Sequence, residues 1–116
     1  MIDFPEFMKS SKNCISGMEQ DSKDIKGYSY EGLDGSQIAF WTCSSNRVSE
    51  KNTHEFDEYM VCVCGQYTVF MNDKVYVLNP GDEIFIPKGT EKWRKCIPGT
   101  RTIHAFGGER IHAANE

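Results

Sequence analysis

The feature that most constrains this chain is its punctuation. Between Gly27 and Phe106 turn residues recur at short intervals: Asp34-Gly35, Gly65, Asn72-Asp73, Asn79-Pro80-Gly81-Asp82, Pro87-Lys88-Gly89 and Pro98-Gly99. The stretches between them are short and rich in β-branched and aromatic residues, and none sustains a helical period. Strands are therefore expected at Tyr28-Ser29-Tyr30, Gln37 to Cys43, Glu55 to Cys64, Gln66 to Met71, Lys74 to Leu78, Glu83 to Ile86, Trp93 to Ile97 and Thr100 to Phe106. Arg47 to Asn52 carries no strong periodicity. Many short strands at regular spacing predict an all-β sandwich or barrel, and closing the sheet removes edges that would otherwise pair with other chains.

The 116 residues suit one domain. We divide them into a polar N-terminal arm (1–26) with one short helical turn, a β-barrel (27–107) and a C-terminal tail (108–116). The net charge of −4 leaves out the electrostatic term that dominates nucleic-acid affinity. The basic group Lys92, Arg94, Lys95 reads as a solvated strand face. Met1 to Glu6 has neither the basic nor the apolar region of a secretory signal, and no apolar run reaches the ~18 residues of a membrane span. A cytoplasmic location is the default expectation, and an odd number of cysteines (Cys14, Cys43, Cys62, Cys64, Cys96) fits reduced thiols. Cys62 and Cys64 are expected to share a face as small buried hydrophobes.

Two stretches resemble a known family. His54-Glu55-Phe56-Asp57-Glu58, followed by six residues and Gly65, resembles the second half of the first cupin motif. Gly81, followed by five residues and Pro87-Lys88-Gly89, resembles the first half of the second. The hairpin between them sits where cupins place one, and Ile86 to Thr90 with Trp93 resembles the cupins of the ethanolamine-utilisation type. The resemblance implies an antiparallel double-stranded β-helix, or jelly-roll barrel, that pairs into a homodimer. Strand parity agrees: Asn52, His54, Glu58, Met60, Cys62 and Cys64 would share the inner face, with Val61 and Val63 outside.

Metal-binding cupins offer two histidines, a glutamate and a third histidine. Here the first histidine position holds Asn52, the third holds Lys92, and the nearby asparagine position holds Cys96, leaving His54 and Glu58. His104, on the last strand, completes a two-histidine, one-carboxylate set with them if it points inward, a set suited to iron, manganese, zinc or nickel. Otherwise it is a core or half-exposed histidine, and His112 is an exposed residue of the tail. Lys92 either points to solvent or brings its ammonium to Glu58, standing where relatives hold the metal. A catalytic lysine is the third option. Trp93, beside the Gly89 turn, is a candidate for lining the mouth.

Three functions remain open. The first is a module binding a small polar molecule near His54, Glu58, Lys92, Asn52 and Trp93. The second is a metal-dependent oxygenase or isomerase, or a metal-free enzyme with His54 or Glu58 as base. The third is a structural dimer without ligand.

Overall fold

The computed structural model describes residues 4–15 and 25–108. Nine strands are seen there: β1 (Ile25–Glu31), β2 (Gln37–Cys43), β3 (Arg47–Val48), β4 (Glu58–Cys64), β5 (Tyr67–Met71), β6 (Lys74–Leu78), β7 (Glu83–Ile86), β8 (Lys92–Cys96) and β9 (Thr100–Phe106). They form two antiparallel sheets, ordered β1-β2-β9-β4-β7 and β3-β8-β5-β6. Strands β2, β6, β7 and β9 begin and end where the sequence pattern places them. Their alternate side chains meet between the sheets, where Ala39, Trp41, Met60, Val69, Ile86 and Phe106 are buried in one core. Fully burying a large apolar side chain contributes roughly 1.5–3 kcal/mol, so this inner face holds the sheets together.

The turns explain the register. Asn72 and Asp73 both have positive φ, 53° and 59°, as a two-residue primed hairpin between β5 and β6 requires. Gly65 has φ +81°, and a Cβ there would lie 2.6 Å from the Thr100 Cα and 2.5 Å from its Oγ1. Only a residue without a side chain lets the end of β4 pass that close to β9.

The structure corrects several expectations. β4 begins at Glu58, so Asn52 and His54 lie in a preceding segment whose backbone is bonded elsewhere. Asn52 exchanges two backbone hydrogen bonds with Lys92 (2.9 and 3.0 Å), His54 O accepts from Gly89 N (2.8 Å), and Asp57 O accepts from Gly107 N (2.8 Å). The β4–β9 register shifts between Cys62 and Cys64, which ends their common alternation. All five cysteines are free thiols, with Cys43, Cys62 and Cys96 buried and Cys14 exposed.

β1 starts at Ile25, two residues before the expected edge of the barrel. Residues 4–15 form two single-turn 3-10 helices (Glu6–Met8, Ser11–Asn13) laid against β1. Asn13 Nδ2 donates to Ser29 O (2.7 Å) and the Tyr30 hydroxyl donates to Met8 O (3.1 Å). The Arg101 guanidinium lies 4.1 Å from the centroid of the Phe4 ring. This part of the arm packs on its own barrel. His112 and most of the tail lie outside the described residues. Among those residues, no helix is long and apolar enough to cross a membrane.

Candidate functional site

The inner faces of β4, β9, β8 and β5 carry the polar residues of the core. Glu58 opens β4 opposite Phe106 of β9, and His104 lies opposite Met60. Glu58 and His104 are therefore diagonal neighbours on adjacent strands, within reach of polar side chains. His104 Nδ1 lies 2.8 Å from Glu58 Oε2, and its Nε2 lies 2.8 Å from Thr102 Oγ1. Because an ionised carboxylate only accepts, Nδ1 carries the proton that it donates to Glu58. The Trp41 ring packs 4.3 Å from the imidazole, and Ala39, opposite His104 on β2, leaves room for it.

The second sheet brings the cations. Lys92 and Arg94 are two residues apart on β8 and point to the same inner face. The Lys92 side chain is buried, and its Nζ donates to Asn52 Oδ1 at 3.0 Å. Arg94 Nη1 donates to the Tyr67 hydroxyl at 2.9 Å and lies 3.8 Å from Glu58 Oε2. Its guanidinium carbon is 5.9 Å from the centroid of the Trp41 ring. Arg94 thus reaches across the barrel to the carboxylate of the opposite sheet.

The electrostatics follow from this geometry. Burial alone would raise the Glu58 pKa. The His104 hydrogen bond overcomes it, with the charges of Arg94, His104 and Lys92, and the pKa falls from 4.5 to about 2. Burial pushes Tyr67 up to about 12, against the pull of Arg94, so its hydroxyl is neutral at physiological pH. Burial disfavours the Arg94 charge, but Tyr67 and Glu58 more than compensate and its pKa rises.

The sequence-based candidates divide as follows. Glu58, His104 and Lys92 all point into the barrel. His54 joins them from the loop: its Nε2 lies 3.8 Å from Glu58 Oε1, and its ring stacks on Phe56 with centroids 4.8 Å apart. Asn52 positions Lys92. Trp93 is on the opposite face of β8, stacked on Phe70 at 3.6 Å and 3°, so it does not line the interior. Lys95 is exposed, whereas Lys92 and Arg94 are not, so the expected solvated basic face is only partly so. Lys92 holds Asn52, and the guanidinium beside Glu58 belongs to Arg94. Arg94 and Tyr67 were missed by sequence reasoning. Arg94 was within reach of it, since any residue two from an inward Lys92 on one strand must also face inward.

The donor set does not fit a tightly held metal ion. His104, the expected third ligand, has both ring nitrogens within hydrogen-bond distance of Glu58 and Thr102. Two cations, Lys92 and Arg94, share the inner face with Glu58. Among the described residues no group of three or more His, Cys, Asp and Glu side chains is arranged to hold a metal.

The architecture defines a small antiparallel jelly-roll barrel with a charged interior. Solved structures place it more narrowly. An RmlC-like cupin from Shewanella frigidimarina superposes with a TM-score of 0.70 at 17% identity, over 91% of this chain and 93% of that one. KdgF from a Halomonas species gives 0.67 at 19% identity, over 79% and 89%. A protein assigned to ethanolamine utilization in Salmonella typhimurium gives 0.58 at 17%, over 71% and 68%. This chain has the cupin fold. No family model matches the sequence, and no curated protein does.

Proposed function

We propose that this barrel is a binding module for a small organic acid anion, held inside near Lys92, Arg94, Glu58 and His54. The observation that carries the proposal is the interior charge balance. Among the described residues Glu58 is the only buried carboxylate, and it faces two cations on β8, Lys92 and Arg94. Two cationic side chains beside one carboxylate on an inner face suit a ligand that brings negative charge. The His54 and Arg94 side chains keep 13% and 11% of their surface exposed, so they lie nearer to solvent than Glu58 and His104.

Binding fits better than proton-transfer catalysis. A general base works best with a pKa near the working pH, and Glu58 at about 2 is far below it. His104 is fully buried with both nitrogens engaged.

The test is a thermal-shift panel on the full chain with small carboxylates and matched neutral polyols. A ligand at ten times its Kd adds about 1.4 kcal/mol to a protein that binds it only when folded, enough for a shift of several degrees. Acids should raise Tm and neutral polyols should not. No shift with any acid, or equal shifts with polyols, would overturn the proposal.

A homodimer accompanies this proposal. Ile38, Ala105, Tyr59 and Phe85 form one row across the outer face of the five-stranded sheet, and Ile38, Tyr59 and Phe85 are exposed. Contiguous exposed apolar surface of this kind suits association. Sedimentation should give a dimer that Phe85→Glu weakens, and a monomer at all concentrations would contradict it.

A further inference from the structure

We infer that the edge of β6 pairs with β6 of a second copy of this chain, antiparallel about a two-fold axis through Tyr76. The contact is separate from the sheet face around Phe85 and from the interior of the barrel.

β6 stands at the end of the sheet order β3-β8-β5-β6. The Asn72-Asp73 turn joins it to β5, so Met71 and Lys74 flank a two-residue hairpin and form a hydrogen-bonded pair. Such pairs alternate along an antiparallel ladder, which makes Val69–Tyr76 and Tyr67–Leu78 the next two. Val75 and Val77 fall between them, and their N–H and C=O groups point away from β5. Among the described residues no hydrogen bond reaches that edge. The edge of β1 differs, because the arm takes it up: Ile15 N donates to Gly27 O at 2.9 Å, and Cys14 forms a bridge with Tyr28. Both valine side chains of β6 are exposed, at 59% and 48%. β-branched residues with open backbone groups are a template for another strand.

Register and charge select a second copy as that strand. Val75 and Val77 are two residues apart, so an axis through Tyr76 sets Val75 opposite Val77 of the second copy, and does so twice. Each pair exchanges two backbone hydrogen bonds, which satisfies both valines in both chains. An axis through Val75 would set Val77 against Asp73, and an axis through Val77 would set Val75 against Asn79. The Tyr76 axis also places Lys74 opposite Leu78 of the second copy. Beside that leucine, Asn79 N donates to Asp82 Oδ2 at 2.9 Å, so the carboxylate lies within side-chain reach of the ammonium. Lys74 and Asp82 are exposed, and among the described residues neither is in an ion pair. The axis repeats this opposite-charge contact at both ends. On the outer face Trp93, Phe70 and Val75 form one row across β8, β5 and β6, with the Phe70 and Trp93 rings stacked at 3.6 Å. Pairing continues that row onto Val77 of the second copy.

The contact is small, so the association is reversible and grows with concentration. Sedimentation velocity over a concentration series tests it on the full chain carrying Phe85→Glu, which weakens the other contact. That chain should still dimerise. Val75→Glu and Val77→Lys should each weaken its dimerisation at least tenfold. The two together should restore it to within threefold, because opposite charges then face each other across the axis. Both positions are exposed, so the thermal midpoint should stay unchanged in all three variants. A Phe85→Glu chain that is monomeric at every concentration overturns the inference and leaves the acid-binding proposal standing. Single substitutions without effect show that the contact is not at β6. A double variant no tighter than the single ones overturns the axis through Tyr76.

Discussion

His104 donates its Nδ1 proton to Glu58 Oε2 across the β9–β4 ladder at 2.8 Å, with both side chains fully buried. The pair fixes the carboxylate's orientation and the imidazole's tautomer together. It also decides which carboxylate oxygen is left facing the His54 side of the barrel.

Breaking this pair should be expensive. Glu58→Ala removes the acceptor of the His104 Nδ1 proton and the carboxylate beside Arg94 from the core. Truncating one partner of a buried charge pair typically costs about 3–5 kcal/mol. Chemical denaturation should show a loss of that order for Glu58→Ala. A loss under 1 kcal/mol would mean that water replaces the carboxylate at little cost.

Glu58 also sets an acid limit on stability. Its pKa is lowered on folding, from 4.5 to about 2. A depressed pKa adds stability that is complete above the unfolded value and is lost as pH falls through the folded one. The window therefore runs from about pH 4.5 down to about 2, and the full effect is on the order of 3 kcal/mol. Denaturation midpoints measured from pH 6 to pH 3 should fall more steeply for the wild type than for Glu58→Gln. Parallel slopes would show that Glu58 titrates as it does in the unfolded chain.

Gly65 is a backbone requirement. Its positive φ and the 2.6 Å approach of Thr100 Cα leave no space for a methyl group, since backbone cannot swing aside as a side chain can. Gly65→Ala should cost about 2–4 kcal/mol, the range in which strain and overpacking combine. Gly81→Ala has the same sign of φ but nothing within 4 Å, and should be milder. Equal losses at the two positions would assign the whole effect to φ.

The donor set predicts weak metal binding. Elemental analysis of protein purified without added metal should find well under one divalent ion per chain, because His104 is engaged on both nitrogens and two cations share the interior. One ion per chain, lost in Glu58→Gln, would show that His54, Glu58 and His104 rearrange into the expected ligand set.

Most of the barrel was legible because turn chemistry and period-two alternation are local. Asn72-Asp73 and Gly65 punctuate the chain wherever the rest of it lies. The β4 boundary was not, since Asn52, His54 and Asp57 are held by Lys92, Gly89 and Gly107, partners distant in sequence. Glu58 was legible from its place in the stretch that resembles the first cupin motif, four residues after His54 and in parity with Met60 and Cys62. For Arg94 only the inward direction was legible, by parity with an inward Lys92, because nothing local shows that its guanidinium reaches Glu58 of the opposite sheet and Tyr67 of β5. Trp93 was misplaced because proximity to the Gly89 turn was weighed above strand parity, which puts it opposite Lys92 and beside Phe70.

The account's central claim is that the inward-facing cations of β8 hold a small acid anion. Lys92→Met tests it most directly, since the chain length is kept, the charge is removed, and an apolar side chain of similar reach remains in a buried position. Titrated with glycolate, the wild type should bind, and a folded Lys92→Met should bind at least tenfold more weakly, about 1.4 kcal/mol. Equal affinity in the two proteins would contradict the account.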